Sequence, residues 1–333
     1  MKRQDIELEL RDSRKLQGKL HGLDMPTLED YRTEEGKEFT VVRDDLPFPF
    51  PMPNFSKVRG IVPYFEKLQE EGVKTVVSQD TIIARVGWGV GYFAEQFDMK
   101  HYGFYPTGHD DFYRKMMKSF GSTGVELRGH HQRIVQGWAK DWLRRKGVDN
   151  YRYLPVGLRL NESKTEHMKL IEAVKDKLDT NGTLVMVVSS GTILSGLLAG
   201  IMENNISIDV KGVLIHNFKK RHDKILTDAR KMINVRNSPL MRSDRKWTFE
   251  IVDDGYSYND KALYRPNFPC DQFIDAKAFS WMIDHLDDLE PPVHFWNVGG
   301  EWSPKLGMGD GLMGDGHTTE EEMVKYLKSR GVI

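Results

Sequence analysis

Short apolar runs and longer amphipathic stretches take turns along most of this chain. The pattern opens weakly: residues 1–45 are mixed and polar, with only faint helical periodicity. Pro47-Phe48-Pro49-Phe50-Pro51-Met52-Pro53 suits neither a helix nor a central strand and predicts an extended connector. Beyond it, apolar positions between Val62 and Glu71 recur at helical spacing and stop at Gly72. Segments 75–78, 101–105 and 151–155 predict strands; segments 87–97, 112–120 and 132–146 predict helices. A helix over 165–178 leads into Leu184-Val185-Met186-Val187-Val188, short and β-branched, which predicts a strand buried on both faces. Residues 194–202 are then helical, 210–216 and 249–252 are strands, and 273–286 is a helix. A strand over 293–298 ends in Gly299-Gly300, and Thr318 starts a last helix with Glu321 spaced for a capping box. Strands and helices in this alternation predict βαβ units and parallel sheets, an α/β fold.

One junction carries chemistry. Between the strand at 184–188 and the helix at 194–202 lie Ser189, Ser190, Gly191, Thr192 and Ile193. A small-residue turn from strand to helix exposes backbone N–H groups, and the helix dipole adds positive potential. Such a turn cradles an anion, above all a phosphate. The same residues also suit a plain strand-to-helix turn.

Composition narrows the partners. At 333 residues the chain suits one large domain or two lobes. A net charge of −1 gives no global field toward nucleic acid or membrane. No apolar run approaches the roughly 20 residues that span a bilayer, and the charged opening Met1-Lys2-Arg3 lacks the apolar region of a signal peptide. The single cysteine, Cys270, excludes an intrachain disulfide and a cysteine-built metal site. A cytoplasmic, reducing location is expected. Charge is uneven, however. Residues 211–246 hold eleven Lys or Arg against three Asp, and 128–146 is basic with Trp138 and Trp142 interleaved. These stretches are either solvated helix faces or contacts for nucleic acid or another polyanion.

Lys57, in Asn54-Phe55-Ser56-Lys57-Val58-Arg59-Gly60-Ile61, sits where the proline-rich connector meets a helix. A lysine near a phosphate cradle suggests a Schiff base to pyridoxal phosphate, because an amine desolvated by a cofactor loses its proton more readily. Here the chain resembles the fold-type II pyridoxal-phosphate enzymes, the tryptophan synthase β superfamily. It is most similar to the branch holding aminocyclopropane-carboxylate deaminase and D-cysteine desulfhydrase. That branch's Asn-Lys-x-Arg-x-Leu motif is matched by Lys57 to Ile61, its Pro-x-Gly by Pro155-Val156-Gly157, and its Thr-Gly-Ser-Thr phosphate loop by residues 188–193. A tyrosine motif is matched loosely by Tyr256-Ser257-Tyr258, Tyr-Glu-Gly-Lys by Ile274-Asp275-Ala276-Lys277, and a final Gly-Gly by Gly299-Gly300. The likeness covers residues 47–300 in order. It implies a two-lobed α/β fold, each lobe an open, mostly parallel sheet flanked by helices. Residues 1–63 and 156–333 would form the large cofactor lobe, with 64–155 inserted as the small one. Dimers are common among similar proteins.

By this resemblance Lys57 bonds the cofactor covalently, and Ser190, Gly191, Thr192 and Ile193 hold its phosphate. Asp275 would face the pyridine nitrogen, keeping it protonated and strengthening the electron sink; near the N-terminus of the predicted helix, it also suits a residue that complements the dipole. Tyr256 or Tyr258 would act as general acid or base, or pack in the core. The branch's Ser-Asn-His is missing: Ala84, Arg85 and Val86 stand there. Arg85 would bind the ring oxygen or a substrate carboxylate, or lie on the surface. The expected function is a bond broken at Cα of an amino-acid-like substrate by lyase, deaminase or decarboxylase chemistry. The missing pair and the basic stretches suggest an amino acid attached to a larger anion, such as a modified base in viral DNA, trimmed by decarboxylation in the host cytoplasm. A catalytically silent binding protein of the same fold is the other reading.

Overall fold

A computed structural model describes residues 4–127, 132–178, 180–216, 221–232, 247–300 and 319–333. Six strands open the chain: β1 (Gln4–Ile6), β2 (Glu9–Lys15), β3 (Lys19–Leu20), β4 (Leu23–Asp24), β5 (Thr27–Arg32) and β6 (Glu38–Arg43). Next come α1 (Val58–Glu70), β7 (Thr75–Gln79), α2 (Val86–Gln96), β8 (Lys100–Pro106), α3 (Asp111–Ser119), β9 (Thr123–Leu127), α4 (Gln132–Arg145) and β10 (Arg152–Tyr153). The remainder runs α5 (Asn161–Leu178), β11 (Thr183–Val188), α6 (Thr192–Asn204), β12 (Ile208–Leu214), α7 (Arg221–Met232), β13 (Trp247–Val252), β14 (Tyr264–Pro266), α8 (Asp275–Asp284), β15 (Val293–Asn297) and α9 (Glu320–Ser329).

Two larger sheets result. One has four strands in the order β10-β7-β8-β9, all parallel. The other has seven, in the order β13-β12-β11-β15-β6-β5-β2, parallel from β13 to β6 and antiparallel at β5 and β2. The fold is thus mixed α/β with mostly parallel sheets. β11 lies central in the larger sheet and is buried along its whole length, as its unbroken apolar run requires. α6 follows, apolar on every side, and is buried from Thr192 to Met202.

The N-terminal region differs from the expected weak helix. β5 and β6 pair antiparallel with Tyr31 opposite Phe39, and the two rings stack. β2 closes that edge and leaves all seven of its residues exposed. An edge strand this charged carries no apolar alternation to read, and its charges oppose edge-to-edge pairing with other chains. The proline-rich connector is a chain of turns rather than extended. The last helix starts one residue later than expected: Thr319 caps it by accepting from Glu322 N, while the Glu322 carboxylate accepts from Thr319 N at 2.8 Å. Residues 307–311, a glycine-rich sequence that suits either a lid or a plain surface loop, lie outside the described residues.

α1 holds Lys57 at its N-cap and crosses α5 at Gly60. A Cβ on Gly60 would run into the backbone N and Cα of Ser163. Backbone cannot yield as a side-chain tip does. Gly60→Ala is therefore expected to lower stability by about 1–3 kcal/mol, the range for overpacking a tight site. A denaturant melt reads this directly, and an unchanged midpoint would mean that the helices part without cost.

Candidate active site

A cleft of about 830 Å³, counting the space open to solvent, is walled by the start of α1, the 83–86 turn, the β11–α6 junction and residues from 258, 274–275 and 298–299. Of the residues expected from sequence, it gathers Lys57, Arg85, Ser190, Gly191, Thr192, Ile193, Tyr258 and Asp275. Tyr256 is not on its wall.

The cradle has the expected form. Gly191 is the N-cap of α6 with φ 79°, a left-handed conformation that glycine takes without strain, and it offers no side chain to the first amides of the helix. The Ser190 and Thr192 hydroxyls lie 2.9 Å apart at its rim. Lys57 reaches this rim from across the cleft: its Nζ donates to Gly157 O at 2.6 Å and to Ser190 Oγ at 3.3 Å.

On the opposite side Asp275 begins α8 and is 1% exposed. Its Oδ1 accepts from Val298 N at 2.9 Å. Val298 O in turn accepts from Ser56 N at 2.7 Å. One residue thus ties the carboxyl of Asp275 to the turn that carries Lys57. Burial, and then the charge of Asp271, hold the Asp275 carboxyl well above the usual carboxylate range.

Arg85 is buried, so the surface alternative fails. Its guanidinium donates to Asp271 at 2.7 Å, to Asn54 Oδ1 at 3.1 Å and to Gly300 O. Asp271 also accepts from the amides of Phe273 and Ile274. Sequence reasoning missed Asp271 and Asn54. An Asp two residues ahead of the predicted helix at 273 was a readable capping signal, but its partner Arg85 is 186 residues away.

Tyr258 lines the cleft and bonds Thr81 Oγ1 at 2.9 Å through its hydroxyl. This contact joins the segment after β13 to the segment after β7. Tyr256 instead lies under Lys277, whose Nζ sits 5.3 Å from its ring centroid. Buried Lys277 donates to Ile215 O, Ser257 O and Tyr258 O, and desolvation lowers its pKa to about 8. It pins the tyrosine segment by its backbone and turns Tyr256 away from the site.

Where they are described, the basic stretches are partly paired. Arg144 and Arg145 pair with Asp141, Lys224 with Asp228, and Lys211 with Asp209 and Glu250. Lys219, Lys220, Arg236, Arg242, Arg245, Lys246 and Arg128 lie outside the described residues. Among the described residues, no helix is long and apolar enough to cross a membrane.

No protein-family model matches the chain. Across 275 residues it is 30% identical to the glycyl-dTMP PLP-dependent decarboxylase of Pseudomonas phage M6, covering 79% of this chain and 95% of the phage protein. The chain belongs to this family. It is a pyridoxal-phosphate (PLP) enzyme of fold type II, acting at Cα of an amino-acid-like substrate. The fold agrees: an ACC deaminase homologue superposes with a TM-score of 0.65 at 14% identity, over 87% of this chain and 89% of that one. A fungal L-serine ammonia-lyase from Rhizomucor miehei gives 0.54 at 14% identity, over 88% and 93%. Membership in an enzyme family argues against the silent binding protein.

The residues present fit PLP. Phosphate suits the amides at the start of α6, of which Thr192 N is held by Ser190 Oγ at 3.3 Å, and the two hydroxyls beside them. Lys57 lies within reach of that cradle. Asp275 is a buried carboxyl with one oxygen bonded to Val298 N and no hydrogen bond to the other among the described residues, which suits a protonated ring nitrogen.

Proposed function

We propose that this enzyme removes, as CO2, the carboxylate of an amino acid carried on a pyrimidine nucleotide. The observation that carries the reading is its likeness to the phage decarboxylase over 95% of that protein. The cleft supports it. Around Lys57 and Asp275 the wall is mainly apolar, with Phe55, Ile83, Ala84, Val86, Ile274 and Val298, and Arg85 is already committed to Asp271.

PLP, when bound, supplies an electron sink for the pair left on Cα as a bond there breaks. The chain's residues do the rest. Ser190, Thr192 and the amides following Gly191 fix the phosphate. Asp275 would face the ring nitrogen and, as a carboxylate, keep it protonated. Lys57 Nζ would hold the cofactor covalently and, placed beside Gly157 O and Ser190 Oγ, would donate a proton to Cα. The Cα–carboxylate bond breaks, carbon leaves as CO2, and one proton replaces it, so neither oxidant nor reductant is consumed.

The test uses purified protein charged with PLP and carboxyl-labelled substrate in three forms: glycyl-dTMP, the same base within duplex DNA, and free glycine. Labelled CO2 is expected from the nucleotide, with the base retaining its nitrogen. Ammonia release in place of CO2 would refute the reading. The DNA arm decides whether the nucleotide is processed before or after polymerisation, and a steep fall of that activity with salt would mark phosphate contacts.

A further inference from the structure

Behind Lys57 lies a set of buried polar side chains that the proposed reaction does not use. Ser56, the residue before it, forms part of the cleft wall. Its hydroxyl donates to Asp44 Oδ2 and meets His167 Nε2 at 2.5 Å. Asp44, Ser56 and His167 are all fully buried. The other oxygen of Asp44 accepts from Arg59 Nε at 2.8 Å, and Arg59 Nη2 donates onward to Asp24 O at 2.9 Å. His167 Nδ1 faces Ser163 O, a carbonyl that can only accept, so a ring hydrogen stands on that side. Polar groups this deep are costly to unpair, which leaves the set few alternative arrangements. Its members come from separate elements: Asp44 follows β6, Ser56 precedes α1, and His167 lies on α5. α5 in turn packs hard on α6, where a Cβ on Gly196 would stand 2.9 Å from His167 Cβ. α6 begins at the phosphate cradle.

We propose that Ser56 is a positioning residue: its hydroxyl, clamped between Asp44 and His167, ties the Lys57 turn to the helix pair that carries the cradle and so sets where Lys57 Nζ meets the cofactor. A lysine side chain is long and flexible, and its reach is useful only when its backbone origin is fixed relative to the phosphate seat. Two restraints fix that origin. The bond from Ser56 N to Val298 O holds the turn toward Asp275. The hydroxyl holds it toward α5 and, through α5, toward α6. Nζ accordingly stands 3.3 Å from Ser190 Oγ at the cradle rim. The motif that Lys57 to Ile61 resemble carries Asn before its lysine, where this chain has Ser56. The inference rests on Lys57 being the lysine that PLP bonds.

Methylamine has no carboxylate to lose, so it competes with Lys57 for the PLP-loaded protein without turnover. One amine replaces the other on the same cofactor carbon, and no oxidant or reductant is consumed. Borohydride then fixes the cofactor to whichever amine holds it, and the methylamine concentration that halves the chain-bound share measures how well Lys57 is placed. Ser56→Ala keeps the bond to Val298 O and removes the hydroxyl. It is expected to lower that concentration about tenfold, part of the roughly 10²-fold that a misplacement of about 1 Å can cost. His167→Asn keeps a donor for Ser163 O but loses Ser56, and should act like S56A. His167→Gln carries its amide near the place of Nε2 and should stay close to the wild type. A merely structural role would lower the melting temperature and the retention of PLP without separating Asn from Gln. An unchanged concentration in folded S56A, or equal losses in H167N and H167Q, would overturn the inference. The wild type tests it without any variant. With Lys57 displaced by methylamine, the amides of 56–60 should exchange with deuterium as slowly as those of 61–65, and a turn that then exchanges freely refutes the clamp. Borohydride labelling of a lysine other than Lys57 would overturn the premise instead, so the two failures are distinguishable.

Discussion

Lys57→Ala is expected to purify without covalently held PLP, and borohydride will no longer fix cofactor to the chain. Lys57 is the lysine on the wall of the cleft, its Nζ within 3.3 Å of the cradle hydroxyl of Ser190. Alanine removes both roles proposed for this amine: the covalent hold on the cofactor and the proton given to Cα. Losing a positioned proton donor costs on the order of 10²–10⁴ in rate, so turnover should fall at least that far. The cradle around Gly191 loses only the Lys57 contact to Ser190 Oγ and keeps its amides and hydroxyls, so PLP should still bind reversibly. Fold should also survive, because Lys57 contributes its backbone to α1 and its side chain is not part of a core cluster. A variant that still fixes PLP with borohydride would place the covalent link on another lysine and dismantle this assignment.

What sequence revealed and what it hid follow a physical division. Lys57 and the Gly191 cradle are local: each is set by a few consecutive residues at the start of a helix, so spacing alone locates them. β11 and α6 were legible because unbroken apolar runs have one explanation in a parallel sheet. The N-terminal strands were not, since β2 is a charged edge with neither face buried. Tyr256 and Tyr258 could not be told apart from sequence. Gly255 takes φ 75° and Tyr258 opens a turn, so residues two apart face different surroundings. Asp44 and Asp271 were missed for a further reason. Each acts on a neighbour brought near by the fold, Asp44 on Arg59 and Asp271 on Arg85. The missing Ser-Asn pair is legible as an absence, but the ion pair standing at that wall is not.

Asp275 provides the sharper test of chemistry, because two roles converge on one side chain. It accepts from Val298 N, a structural bond, and it presents a buried carboxyl to the cleft. Desolvation and the nearby Asp271 hold that carboxyl well above the usual carboxylate range, so its ionised form needs a cation beside it. A protonated pyridine nitrogen is such a cation, and the pairing keeps the ring an effective electron acceptor. Asp275→Ala removes both roles, whereas Asp275→Asn keeps an oxygen for Val298 N and loses only the charge. Both variants are therefore expected to lose turnover by on the order of 10²-fold or more, the scale for removing one preorganised electrostatic partner. Cofactor affinity should change only a few-fold, since the phosphate cradle and Lys57 remain. The two quantities separate by measuring single-turnover rates alongside a fluorescence titration with PLP. Asparagine discriminates between the roles: near-normal turnover in Asp275→Asn would reduce Asp275 to a hydrogen bond at the start of α8, and the electron sink would have to be sustained without a carboxylate.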